Sequence, residues 1–258
     1  MKGKKSSSKN LSPVATEPCF WRNKEKILVS VVVPAYNEEK NISSCLTALK
    51  NQNFPKQNYE VIVVNNASTD RTGEIARKMG VKIIFEPKKG YAFALKRGFK
   101  TVAADFIAVT DADTIAPKDW LSNIYQAFKK DKNIVIIGGS SFHKPMIPLA
   151  FVAQFVLNFI AGPLLKIFVG YNMAFRKEVY QKVGGVNTRF NFNVDTDLIV
   201  RIKKEGKAVF LFNNPIMVSS RHYRGIGGIK YALKGSTNSI FLILFRKTPF
   251  FHFGDVRN

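Results

Sequence analysis

The stretch VTDADTIAPKDW, from Val109 to Trp120, places two carboxylates, Asp111 and Asp113, one residue apart behind the apolar run DFIAV. Like charges this close repel, so the pair needs a positive partner. A hard divalent cation is one candidate. Mg2+ or Mn2+ prefers carboxylate oxygen, keeps several waters and shares phosphate oxygens with a substrate. Such an ion would neutralise a diphosphate leaving group. The competing role is a helix N-terminus, which an Asp before the first turn caps. The position at a strand end favours the cation.

The elements around the pair repeat one arrangement. ILVSVVVPAY, YEVIVVNN, VKIIFE, DFIAVTD and NIVIIGGS are short Val/Ile runs that read as buried strands. Between them, Asn41–Asn51, Arg71–Met79, Tyr91–Val102 and Trp120–Lys130 read as helices. This alternation predicts an α/β fold, a mostly parallel sheet with helices on both faces. PAYNEE, NNASTD and TDAD then fall at strand carboxyl ends, on one edge of the sheet, where such folds bind ligands.

The remaining segments set the surroundings. Met146–Leu165 holds no charged residue, long enough to suggest a membrane span. Pro148 and Pro163 bracket it, and Gln154 and Asn158 share a helical face. The polar loops lie both before and after it, so one crossing would split the site across a bilayer. It is therefore expected to lie in a membrane interface or over the site, with plain burial on the sheet as the alternative. Ile226–Lys247 reads as a last long helix. The Lys/Ser-rich opening reads as a mobile tail, and no apolar stretch makes it a secretory signal. Cys19 and Cys45 fit no metal or disulfide spacing, which points to a reducing, cytosolic setting.

Lys and Arg number 40 against 18 Asp and Glu, a formal charge of +22. Nucleic acid, an anionic membrane surface or phosphorylated substrates would suit that charge. No nucleic-acid-binding motif accompanies it, so nucleic acid is not the expected partner.

Six segments, VSVVVPAYNEEKNI, VVNNASTDRTGEIA, KKGYAFALKRGF, VTDADTIAPKDW, GYNMAFRKEVYQKVGG and VDTDLIVRIKKEG, together resemble a family-two glycosyltransferase of the inverting, GT-A fold type. The resemblance runs from about Leu28 to about Lys207, more loosely to Arg257. It implies an enzyme that moves a sugar from a nucleotide-diphosphate sugar to an acceptor hydroxyl, with Mg2+ or Mn2+ as cofactor. It implies that Ala35, Tyr36 and Glu38 hold the base and ribose. Asn66 stands where the family usually has a base-binding carboxylate; an amide can still read a base edge. Asp70 matches a recurrent acid and also suits a helix cap. Lys88, Lys89, Lys96 and Arg97 are expected to reach phosphate. Asp111 is assigned to ribose or metal-bound water, and Asp113 to the metal itself.

In the acceptor half, the family's Glu-Asp pair appears as Val194-Asp195, making Asp195 the expected general base. Asp197 is expected to pair with Arg201, four residues along. Gly170 and Asn172 would floor the sugar site. Gly184 and Gly185 suit a turn. Arg221 and Arg224 would close over the diphosphate, and His222 is a further possible metal ligand. The expected layout is a tail over 1–26, a catalytic domain over 27–220 (nucleotide half 27–140, acceptor half 141–220) and a closing segment over 221–258. The acceptor is expected to be lipid-linked or an envelope glycan, met peripherally at the cytoplasmic membrane face. A polyprenyl-phosphate sugar synthase is the alternative within the class. A nucleic-acid-binding protein and an inactive sugar-nucleotide-binding subunit are alternatives outside it.

Overall fold

The computed structural model describes residues 26–145, 155, 157–166, 168–190, 193–223 and 241. Most of the expected tail, Arg224, nearly all of the predicted last helix and half of Met146–Leu165 lie outside these residues.

Among the described residues, eight strands form one sheet, in the order β3-β2-β1-β4-β7-β6-β8-β5. They are β1 Val29–Ala35, β2 Tyr59–Asn65, β3 Lys82–Phe85, β4 Phe106–Val109, β5 Thr114–Ile115, β6 Ile134–Lys144, β7 Met173–Arg176 and β8 Lys207–Ser219. The helices are α1 Ile42–Lys50, α2 Thr72–Lys78, α3 Tyr91–Phe99, α4 Trp120–Lys130, α5 Gly162–Leu165, α6 Lys177–Lys182 and α7 Val194–Ile202. A π-helical turn, Leu157–Ala161, leads into α5.

Strands β1 to β4 pair in parallel, as buried Val/Ile runs predict. The second half is mixed. β7 runs antiparallel to both β4 and β6, β6 and β8 are parallel, and β5 is antiparallel to β8. Strand residues alternate between two cores. Val29, Val31 and Val33 of β1 pack with α1 and α4, through Leu46, Leu49, Trp120, Ile124 and Phe128. Val32 faces the other way, toward Leu95 and Phe99 of α3 and Leu198 and Ile202 of α7. Each fully buried side chain of this size contributes roughly 1.5–3 kcal/mol. Helices thus cover both faces.

The pairings explain how distant segments reach one edge. Parallel β1, β2 and β4 bring the loops after Ala35, Asn65 and Val109 to the same side. β7 pairs antiparallel with β4, Met173 opposite Val109, so the turn Gly170–Asn172 emerges beside the Thr110–Asp113 loop. β5 pairs with the far end of β8, Thr114 opposite Val218. The Ser219 amide also donates to the Asp113 carbonyl at 3.2 Å. That lacing carries the next turn, Ser220–Tyr223, to the acidic pair.

The described part of the uncharged segment turns its polar residue inward. Asn158 is buried, 2% exposed. Its amide donates to the Ser141 carbonyl at 2.6 Å and accepts from the Ser141 N–H at 3.0 Å, pairing β6 backbone. Phe155, Phe159, Ile160 and Leu164 are exposed instead. Among the described residues no helix is long and apolar enough to cross a membrane.

Candidate active site

Two loops are laced side by side above β1 and β2. The Asn37 N–H donates to Ser68 Oγ (3.1 Å), the Glu38 N–H to Thr72 Oγ1 (2.7 Å) and the Glu39 N–H to Asp70 Oδ2 (3.0 Å). The Thr69 N–H returns a bond to Asn37 Oδ1 at 2.9 Å. Asp70 also accepts the Thr72 N–H at 2.9 Å, so its carboxylate anchors the start of α2 and the neighbouring loop. Asn37 and Ala67 sit at φ 52° and 55°, in the left-handed region. Such conformations cost energy and persist where surrounding bonds over-determine them.

Four acids converge on this edge. Glu38 is 5% exposed and accepts from Asn41 Nδ2 at 2.9 Å. Both Glu38 oxygens also take the Arg221 guanidinium, one of them at 2.8 Å. The same guanidinium lies 3.2 Å from Asp113 Oδ2. Asp111 accepts from the Tyr91 hydroxyl at 3.4 Å, a long contact. Burial pushes the Asp111 carboxyl up to about 8, helped by repulsion from Asp113, Asp195 and Glu38. Beneath it, Cys45 is buried, and desolvation raises its thiol to about 12, leaving it an inert filler.

Asp195 is the second residue of α7, following Asn193, which turns the chain at φ 56°, and Val194, which enters the core. Burial raises its pKa above the ordinary carboxylate value, against N–H bonds from Thr196, Asp195 itself and Gly170. A Cβ at Gly170 would stand 2.3 Å from Asp195 Oδ2 and 2.8 Å from its Cγ. The carboxylate therefore fills the space a side chain would take. Asp197 pairs with Arg201, at 2.9 and 2.6 Å from Nε and Nη2. Gly184 and Gly185, at φ 78° and 69°, make the turn after α6.

Several expected ligand contacts are already spent within the fold. Asn66 donates to the carbonyls of Glu86 (3.1 Å) and Lys88 (2.7 Å) and accepts the Gly90 N–H (2.8 Å). Its amide holds the 86–90 loop. Asn172 accepts from the Trp120 indole at 2.9 Å and donates to the carbonyls of Ser140 and Asn214 at 2.8 and 2.9 Å. It is a buried clamp between α4, β6 and β8. Ala35 contributes its carbonyl, which receives the Asn66 N–H at 2.8 Å. Lys89 lies 4.1 Å from the centroid of the Tyr36 ring and donates to its hydroxyl at 2.7 Å. Arg97 is exposed on α3 and joins none of these contacts. The His222 backbone belongs to the Ser220–Tyr223 turn; its side chain and Arg224 lie outside the described structure. Tyr91 and Gly170 shape the site through contacts that one-dimensional patterns do not carry.

The donor set fits a hard divalent cation. It is carboxylate oxygen, it is mutually repelled, and a guanidinium already bridges Glu38 and Asp113 as a stand-in cation. Among the described residues no group of three or more His, Cys, Asp or Glu side chains is already arranged to hold a metal ion.

Asp111 also makes stability depend on pH. Its folded-state pKa lies above the unfolded value of 3.8, so the protonated form stabilises the fold below about pH 4. That stability is lost as pH rises toward 8. In metal-free buffer Asp111→Asn should melt roughly 3 °C above wild type at pH 8.5, the gap closing below pH 4. Calorimetry across that range checks it.

The sequence profile of Glycosyl transferase family 2 matches residues 30–184, more than half of the chain. The chain belongs to that family. It is similar to a probable glycosyltransferase, YdaM, of Bacillus subtilis, 31% identical over 215 residues, covering 74% of this chain and 51% of the relative. It is also similar to a dolichol-phosphate mannosyltransferase of Pyrococcus furiosus, 36% identical over 121 residues, 45% of this chain and 34% of that one. The matched regions thus span about half of the first relative and a third of the second. In fold it resembles a mannosyltransferase from Pyrobaculum calidifontis, solved with GDP-Man and Mn2+. The TM-score is 0.69 at 23% identity, covering 86% of this chain and 65% of that one. The GT-A fold and the glycosyltransferase class follow.

Proposed function

We propose that the chain transfers a hexosyl group from a nucleoside-diphosphate sugar to an acceptor hydroxyl, with inversion at the anomeric carbon. The observation that carries this reading is the convergence of Glu38, Asp111, Asp113 and Asp195 on one sheet edge, with Asp195 close enough to raise the Asp111 pKa. Asp113 and Asp111 would hold a divalent cation, which when bound offsets charge on the diphosphate. Tyr36 stacks on the base beside the Ala35 backbone, Lys89 moves from the ring to phosphate, and Arg221 and Arg224 pair with the diphosphate. Glu38 holds the loop at the ribose side, and His222 is a candidate further ligand.

The displacement then runs through Asp195. Its carboxylate takes the acceptor's proton as the acceptor oxygen bonds to the anomeric carbon. The bond to the diphosphate breaks and the diphosphate leaves with the electron pair. A buried carboxylate with a raised pKa is the stronger base for this step.

The acceptor is assigned to an anionic membrane face, the cytoplasmic one, as a lipid-linked or envelope glycan. The outward Phe155, Phe159, Ile160 and Leu164, together with the +22 charge, support it. A relative named for dolichol phosphate favours a second reading, in which the acceptor is itself a phosphate. A thermal-shift screen of nucleoside diphosphates with and without Mn2+ tests the core proposal. One diphosphate should stabilise the protein only with Mn2+, and not at all in Asp113→Ala. No shift with any diphosphate would sink it, and failure to float with anionic vesicles at low salt would remove the membrane part.

A further inference from the structure

The Arg221 guanidinium occupies the side of Asp113, assigned above to the cation: it forks onto both oxygens of Glu38 and reaches Asp113 Oδ2 at 3.2 Å. We propose that Arg221 is an exchangeable counterion: it holds Glu38 and Asp113 in the nucleotide-free protein and yields Asp113 only when cation and diphosphate arrive together. The inference rests on the metal-site reading and adds a coupling that the reading does not require.

Three observations support the exchange. The guanidinium keeps its charge at any working pH, so titration cannot release Asp113; only a competing cation can. The backbone beneath Arg221 is fixed, because Ser219 is bonded to the Asp113 carbonyl and Val218 is paired with Thr114. The side chain itself stands one turn past the strand end and is 29% exposed, so it can swing without disturbing the sheet. A divalent cation arriving alone must displace Arg221 and leave that charge without Asp113. A diphosphate gives the displaced guanidinium a new bidentate partner. Metal and nucleotide therefore bind with positive coupling, and by linkage each raises the other's affinity equally.

Manganese binding followed by the loss of the free-ion EPR signal tests this, with and without GDP or UDP. Wild type should bind Mn2+ weakly alone and at least roughly tenfold more tightly with the preferred diphosphate. Arg221→Gln should bind Mn2+ alone roughly tenfold more tightly than wild type and lose most of that coupling. Arg221→Lys, which keeps the charge without the fork, should fall between. Equal Mn2+ affinity in wild type and both variants, without nucleotide, overturns the inference while leaving the metal site intact. Absence of Mn2+ binding in all three, with and without diphosphate, overturns the metal-site reading as well. In case Arg221→Gln unfolds, wild type gives an independent readout. Mg2+ plus diphosphate should shift the Arg221 Nε–H resonance in 15N-arginine-labelled protein, and Mg2+ alone should shift it far less; equal shifts refute the exchange.

Discussion

Asp195→Asn should lower kcat by roughly 10³-fold while leaving donor binding and folding intact. The amide has the shape of the carboxylate, and the Asp195 position is already one where burial disfavours charge. Removing the acid therefore costs the fold little and should slightly raise the melting temperature near neutral pH. What disappears is the group that takes the acceptor's proton. Single-turnover transfer measured beside nucleotide affinity separates the two effects. A fall of less than tenfold would indicate an acceptor that needs no deprotonation, as a lipid phosphate would, and would decide for the synthase reading. A parallel loss of nucleotide binding would show that Asp195 acts on the donor.

Gly170→Ala should reduce kcat by about a hundredfold with little change in donor KM. The added methyl would meet Asp195 Oδ2 at 2.3 Å and Cγ at 2.8 Å, well inside van der Waals contact. Something must shift, and the carboxylate is freer to move than the 3-10 turn that carries residue 170. The loss should resemble that of Asp195→Asn in kind, because both displace the same base. Combined, the two changes should cost little more than Asp195→Asn alone, since residues acting as a unit are not additive. Fully additive losses would show that Gly170 serves catalysis by some other route.

The nucleotide half was legible because its physics is local. Parallel strands buried on both faces demand continuous Val/Ile runs, and α1 and α4 show the expected helical spacing with bounds close to those predicted. Strands β5, β7 and β8 were not read. β5 has two residues and β7 four, too few to show a period. β8 is interrupted by Asn213, Asn214 and Pro215, where its register with β6 jumps from Gly139–Leu211 to Ser141–Ile216. Asp111 and Asp113 stand out in the sequence as paired acids behind an apolar run, whereas Asp195, at the start of a helix, is reached only through the family resemblance. Asn66 and Asn172 show what a sequence does not carry. A sequence shows that an amide can bond, not whether neighbouring carbonyls have already used it. Arg221 was expected near a diphosphate; its present partners lie 183 residues away in the case of Glu38, a pairing that only the closed sheet produces.

That separation bears on how the protein is made. On the ribosome, the Glu38 and Asp113 segments emerge long before Arg221, so the guanidinium cannot relieve their repulsion until β8 has been made. The β1–β4 unit is held by nearby pairings and can form early. The bonds that deliver Arg221 wait for β8, the last strand of the sheet, to find β6 and β5. Neutralising the acidic edge and closing the sheet are thus one late event. A chain stopped before Ser219 would carry Glu38 and Asp113 without the Arg221 guanidinium, and the acidic edge reaches a settled charge distribution only once β8 has been translated and paired.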